Sequence, residues 1–162
     1  MSPVLYRDYP IGTLGLMGDG QGLSRVFLRR EGAEYPFLEG ETALTAQAAG
    51  ELEEYFDRGR SAFTVPLSPH GTRFQLAVWQ ALRDIPYGQT RTYGEIAAAV
   101  GRPKAAQAVG MANHDNPLLI FTPCHRVVGK DGALTGFACG LEVKRRLLEL
   151  EGARTSQSKI LR

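Results

Sequence analysis

Cys124 and the residue directly after it, His125, are the two side chains whose types and spacing could perform nucleophilic chemistry. A free thiol with a pKa near ~8.5 is only a few per cent thiolate at pH 7, so it attacks carbon only when something activates it. An adjacent imidazole can take the thiol proton, directly or through water, if the turn brings the side chains together, and a carboxylate can orient that imidazole. Lowering a thiol pKa by ~2 units raises its thiolate fraction more than tenfold, a gain of up to about 2 kcal/mol in the barrier. Adjacency alone leaves another reading open, in which Cys124 is a small buried hydrophobe and His125 a hydrogen-bonded core residue. Cys139 is the other cysteine. In a reducing compartment two free thiols are the expectation rather than a disulfide, and no Cys or His pair has zinc-ligand spacing, so no metal site is expected.

The composition admits such chemistry in an ordinary globular chain. Of 162 residues, 43% are hydrophobic and 22% charged, a balance that excludes disordered and membrane-spanning classes. No apolar run approaches the ~20 residues of a transmembrane helix. Residues 1–10 include Arg7 and Asp8 and lack the continuous apolar stretch of an export signal, so a cytoplasmic location without a membrane partner is expected. A net charge of +2 and a pI near 8.6 permit nucleic-acid binding without requiring it.

The elements that must position these residues fall into an α+β plan. Residues 14–17 and 24–29 read as short strands punctuated by Gly12, Gly15, Gly18, Gly20 and Gly22, a small β-meander. Leu44, Ala48, Leu52, Tyr55 and Phe56 follow at helical spacing from Thr42, with Gly59 as the stop. Residues 64–71, with Pro66 and Pro69, read as a linker. An N-terminal domain of residues 1–70 is thereby set apart from a helical part, 71–152, and a polar tail, 153–162. Thr72 with Gln75 forms a capping box that opens a helix burying Phe74, Val78, Trp79 and Leu82. Thr92 with Glu95 opens a second, short helix with Ile96, Ala97 and Val100 inward and Gly101 as its stop. Pro103 suits the first position of a third helix that reaches about Ala112, completing a helix-turn-helix. The turn signal Lys130-Asp131-Gly132 predicts a hairpin between Val127-Val128 and residues 133–135, the wing of a winged helix. A last helix, about 141–151, is expected to bury Val143, Leu147, Leu148 and Leu150.

Pro123-Cys124-His125-Arg126-Val127, preceded by Asn116-Pro117 and followed by Gly140-Leu141 and residues 144–152, closely resembles the methylated-DNA–protein-cysteine methyltransferase family, the 6-O-alkylguanine-DNA alkyltransferases. The resemblance covers residues 72–152. The N-terminal half shares only the general α+β layout, with Pro10-Ile11-Gly12 near its start. The resemblance implies single-turnover, suicidal repair: an alkyl group passes from the 6-oxygen of guanine to Cys124 without a cofactor, alkylated thymine being a further candidate substrate. It completes a water-linked relay of Cys124, His125 and Glu151, and makes Tyr93 the acid that protonates the leaving guanine. Asn116 becomes a hinge, Val127 and Ala138 supply backbone groups to the extruded base, Phe137 lies in the covering loop, and Lys144 assists electrostatically. The partner implied is double-stranded DNA carrying alkylated guanine, bound by a monomer through the minor groove. Ala105, Ala106, Ala108 and Gly110 would allow close approach, and Arg91, Arg102 and Lys104 are placed to meet phosphates. The target base must rotate out of the duplex, at a cost of a few kcal/mol.

Three residues depart from the family pattern. Gln107 stands where an arginine commonly fills the gap left by the flipped base, Phe137 where tyrosine is usual, and Cys139 where glycine is usual. Some relatives bind zinc through an N-terminal cluster, but the first 120 residues here contain no cysteine. Competing readings fit less of the sequence. A non-catalytic lesion sensor has no use for Cys124, and a winged-helix DNA-binding protein leaves the Cys-His-Glu set and Tyr93 without a task. A cysteine hydrolase needs an oxyanion hole and usually a distant histidine.

Overall fold

The glycine-punctuated start of the chain folds, in the computed structural model, as an antiparallel sheet of order β1-β2-β3. The strands are β1 (Leu5–Tyr9), β2 (Gly12–Gly18) and β3 (Leu23–Leu28). The structure describes residues 2–153. Contacts divide the chain into one unit up to His70 with Pro117–Leu119, and another comprising Gly71–Asn116 and the chain from Ile120 onward. The pattern of short extended pieces is thus realised, with β1 as an addition.

In the first unit Tyr6, Gly15 and Phe27 pair across the strands. A Cβ on Gly15 would lie 2.4 Å from the Phe27 ring, so only glycine lets that ring cross the sheet. Leu14, Leu16 and Val26 are buried with Ala48, Leu52 and Tyr55 of helix α1 (Ala43–Arg58). Thr42 caps α1 and Gly59, at φ 71°, ends it, as the sequence predicts.

The second unit is built on helices α2 (Arg73–Arg83), α3 (Tyr93–Ala99), α4 (Ala106–His114) and α5 (Leu141–Leu150). The capping boxes Thr72/Gln75 and Thr92/Glu95 both form. Val78, Trp79 and Leu82 are buried; Phe74 is half-buried, its ring 5.6 Å from the Arg102 guanidinium carbon. Trp79 anchors α4 to α2, its indole Nε1 donating to the Ala112 carbonyl at 2.8 Å.

Several expectations need correction. Helix α4 starts at Ala106 without a side-chain cap. The Ala105 amide bonds back to the Arg102 carbonyl at 2.9 Å, so Pro103 lies in a tight turn rather than at the first helical position. Val100, the C-terminal cap of α3, is half-buried. No hairpin forms after the Cys124 segment. Instead β5 (Val127–Val128) pairs in parallel with β4 (Arg91–Thr92), and Asp131, at φ 65°, tightens the next residues into a 3-10 turn. With Val127 and Val128 paired to β4, the Ala133 carbonyl accepts from the Gly129 amide at 2.7 Å.

Helix α5 also turns a different face inward: Lys144, Leu147 and Leu148 are buried with the cap residue Glu151, while Val143 is half-buried and Leu150 is 39% exposed. Positions 144, 147, 148 and 151 form one helical stripe, and its two charges are held by partners described below. Ala153, expected to start the tail, packs with Val128, Leu134 and Leu148. The remaining predicted tail, 154–162, lies outside the described residues. No helix among the described residues is long and apolar enough to cross a membrane.

Because Trp79 supplies both packing and the bond to α4, Trp79→Phe should destabilise the protein by about 1–3 kcal/mol. Chemical denaturation of the variant beside the parent checks this; equal midpoints and slopes would remove the anchoring role.

Candidate active site

Cys124 opens a 3-10 turn, Cys124–Arg126, directly after Pro123. Its amide bonds the Thr122 carbonyl at 2.8 Å, and the Arg126 amide bonds the Pro123 carbonyl at 2.9 Å. Two asparagines from the end of α4 and just beyond hold this turn. Asn116 Nδ2 donates to the Thr122 carbonyl at 2.8 Å, and Asn113 Nδ2 to the Cys124 carbonyl at 3.3 Å. Ile120, buried and at φ 72°, returns the chain from Pro117–Leu119 to this unit. A β-branched residue in the left-handed region stores about 1–3 kcal/mol of strain, which the surrounding packing must hold.

The imidazole of His125 is fully buried, with Nε2 2.7 Å from Glu151 Oε2. An ionised carboxylate only accepts, so Nε2 carries the hydrogen and Nδ1 keeps a lone pair. Nδ1 is buried and has no hydrogen-bond partner among the described residues. This ring nitrogen is therefore equipped to take a proton. Glu151 caps the C-terminal end of α5, where a negative charge opposes the helix dipole by up to about 1 kcal/mol. Arg126 offsets that opposition, with Nε 2.8 Å from Oε1 and Nη2 3.1 Å from Oε2.

Burial dominates the site's protonation. It pushes the Cys124 thiol up to about 12, against the opposing hydrogen bond from Asn116 and the charge of Lys144. It lowers His125 despite the attraction of Glu151, and Arg126 and Lys144 lower it further. Burial alone would raise Glu151, but His125 and Arg126 outweigh it and bring the carboxyl to about 2. Burial brings Lys144 down to about 8, and a negative charge on Cys124 would favour its charged form. At neutral pH the resting set is therefore thiol, neutral imidazole, carboxylate and ammonium. A thiol with a lowered pKa, the simplest route to activation, is not what the fold provides, because desolvation exceeds what Asn116 and Lys144 return.

Thr135 connects the other candidates. Its hydroxyl donates to the Tyr93 hydroxyl at 3.4 Å, and its carbonyl accepts from Lys144 Nζ at 2.8 Å. Lys144 Nζ also lies 5.9 Å from the Phe137 ring centroid. A Cβ on Gly110 would be 3.9 Å from the Tyr93 ring, so α4 passes close to that tyrosine. Cys124, His125, Glu151, Lys144 and Asn116 thus form one cluster, joined to Tyr93 through Thr135. Val127 is buried in β5 and Ala138 is exposed in the loop before α5. Cys124 and Cys139 are both free thiols.

The residues expected to meet DNA sit on α4, on the turn before it and on β4. Gln107, Arg102 and Lys104 are exposed, and Ala105 and Ala106 half-exposed, on α4 and the turn before it. Arg91 is turned onto the Thr90 carbonyl at 2.9 Å and Gln89 Oε1 at 3.1 Å. Arg126, Asn113 and Thr135 received no individual role from sequence reasoning. Arg126 lay inside the quoted motif and Asn113 one helical turn before Asn116, but nothing distinguished Thr135 from a loop threonine. Among the described residues no group of three or more His, Cys, Asp or Glu side chains could hold a metal ion.

A family model described as the 6-O-methylguanine DNA methyltransferase, DNA binding domain, matches residues 73–153. A methylated-DNA–protein-cysteine methyltransferase of Methanosarcina acetivorans is 50% identical over 150 residues, covering 90% of this chain and 96% of the relative. The chain belongs to the methylated-DNA–protein-cysteine methyltransferase family. Among solved structures, the Mycobacterium tuberculosis O6-methylguanine methyltransferase matches with a TM-score of 0.85 at 41% identity, covering 100% of both chains. The Mycobacterium tuberculosis protein in complex with DNA also matches at 0.85 and 41% identity, over 98% of this chain and 99% of that one. These methyltransferase structures share the mixed α/β architecture described above.

His125 and Glu151 both have folded-state pKa values below their unfolded values. Each contributes stability that is complete above its unfolded value, about 6.5 for His and 4.3 for Glu, and lost as pH falls toward the folded value. Acidification from pH 7 to pH 4.5 should therefore lower the thermal midpoint, mainly through His125. Melting of the parent and His125→Asn across that interval checks the attribution: the variant should lose less, and an equal loss would assign it elsewhere.

Proposed function

We propose that this chain reverses alkyl damage in DNA directly, with Cys124 as the acceptor of an alkyl group from the 6-oxygen of guanine. The observation that carries this reading is the buried His125, bonded to Glu151 through Nε2 and holding an Nδ1 lone pair without a partner among the described residues, one residue from the Cys124 thiol. In the proposed step Nδ1 takes the Cys124 proton, directly or through water, as the thiolate forms its bond to the alkyl carbon and the carbon–oxygen bond to guanine breaks. The Lys144 ammonium stabilises the developing thiolate. The Tyr93 hydroxyl gives a proton to the departing base, which then leaves as neutral guanine rather than its anion. The thioether remains on Cys124, so each molecule acts once and no cofactor takes part.

Residues 71–152 form the DNA-binding and catalytic part in this reading, with α3 and α4 as the helix-turn-helix. The exposed small residues of α4 enter the minor groove, Arg102 and Lys104 meet phosphates, and Gln107 fills the space left by the extruded base. The covering loop with Phe137 and Ala138, the Val127 backbone and the Asn116-held turn receive that base. A monomer acting in the cytoplasm, where thiols stay reduced, suits this chemistry. Alkylated thymine is a further proposed substrate.

Intact-mass and peptide analysis after mixing with a duplex containing 6-O-methylguanine tests the acceptor. One methyl on the Cys124 peptide, none after Cys124→Ala, is expected; methylation confined to Cys139 would overturn the assignment. A guanidinium adds a charge that glutamine lacks, so Gln107→Arg should bind duplex DNA more tightly at low salt. Its affinity should also fall more steeply with added salt, by up to about one unit of slope. Titrations at two salt concentrations decide this, and equal affinities at both would remove the role of position 107.

A further inference from the structure

The Glu151 carboxylate has two claimants. His125 holds one oxygen through Nε2 at 2.7 Å, while the Arg126 guanidinium reaches both, at 2.8 Å through Nε and 3.1 Å through Nη2. Arg126 is itself fixed: Nη1 donates to the Ile85 carbonyl at 2.7 Å, and its central carbon lies 5.7 Å from the Tyr87 ring centroid. It is only 6% exposed. The fork of a guanidinium matches a carboxylate in geometry as well as sign.

We propose that Arg126 is a positioning residue of the relay: by gripping both oxygens of Glu151 it keeps the His125 imidazole uncharged and aligned as a proton acceptor. The inference rests on the reading in which His125 is the base. Were Glu151 the only charge beside His125, the buried pair would lower its energy by drawing a proton onto the imidazole, because an isolated buried carboxylate is far costlier than an ion pair. Nδ1 would then carry a hydrogen and could no longer take one from Cys124. Arg126 already supplies the positive partner, so the second charge gains less. The other charged or titratable groups around His125 act in the same direction or too weakly to replace it. Lys144, from α5, also disfavours an imidazolium, but it bonds the Thr135 carbonyl rather than the carboxylate. Cys124 is neutral at rest, and Tyr87, beside Arg126, is held protonated by burial and by the charge of Glu151.

The test is the pH dependence of single-turnover alkyl transfer by the full chain on a duplex containing 6-O-methylguanine. The parent, R126Q, R126K and H125N are compared, with folding of each checked by its melting transition. R126Q keeps a hydrogen-bond donor but removes the charge, so its acid limb should move to higher pH. Its rate should fall about tenfold or more at pH 6 and less than about threefold at pH 8.5. R126K keeps the charge without the fork; its limb should stay near that of the parent while the rate drops several-fold at every pH. Should R126Q not fold, titration of the His125 ring nitrogens by NMR in R126K and the parent replaces it. An R126K midpoint above 7 would overturn the proposal, and one within a few tenths of the parent would support it. A uniform loss in R126Q with an unmoved limb would reduce Arg126 to a structural strut and overturn the inference, leaving the base reading intact. If H125N retains the parental acid limb, the base reading itself fails and the inference with it.

Discussion

The carboxylate of Glu151 is the point on which the second unit depends. It sits at the wrong end of α5 for the helix dipole and is buried, two conditions under which a lone charge is not tolerated. What makes it tolerable is a set of bonds from the turn that carries Cys124: one from His125 and two from Arg126. Removing one partner from a buried charge set of this kind generally costs about 3–5 kcal/mol, since the remaining charge is left uncompensated. The turn that carries Cys124 and the last helix are therefore joined by electrostatics as well as by packing, and Arg126 extends the connection to Ile85, just beyond α2.

That dependence shapes the chemistry. The desolvation that strengthens the His125–Glu151 bond also holds Cys124 in its protonated form, with a pKa near 12. The site at rest is a thiol beside a neutral imidazole. A thiolate forms only as the proton leaves, and Lys144 and Asn116 are the groups that favour it. A protein consumed by one reaction gains from such an arrangement, because a buried thiol is nearly inert toward electrophiles in solution. The Thr135 contacts bring the phenol of Tyr93 and the ammonium of Lys144 to opposite ends of one residue, so both share a loop support.

The approach to this site is built from small side chains and strain. Gly110 lets α4 pass within van der Waals reach of Tyr93, and Ile120 adopts a left-handed backbone to bring the chain back toward Cys124. Arg102, Lys104 and Gln107 are exposed on α4 and the turn before it, where charge can be altered with little effect on the core.

The helix-capping signals were legible in the sequence. Thr42, Thr72 and Thr92 start helices as read, because a cap and its partner three residues on satisfy backbone groups without help from the rest of the fold. The motif around Cys124 and its match to Glu151 and Tyr93 were equally legible, since family resemblance carries residue types at fixed positions. Tertiary structure decided what those signals could not contain. Val127 and Val128 chose β4 over the residues after the turn, a competition between strands distant in sequence. On α5, hydrophobicity pointed to Val143 and Leu150, yet Lys144 and Glu151 are buried instead, because partners supplied by Thr135, His125 and Arg126 repay their desolvation. The sequence alone determined where the capped helices begin and which thiol stands in the family motif. The protonation state of that thiol, and the pairing of Arg126 with the carboxylate behind its base, depend on burial and on contacts between residues far apart in the chain, which only the folded structure provides.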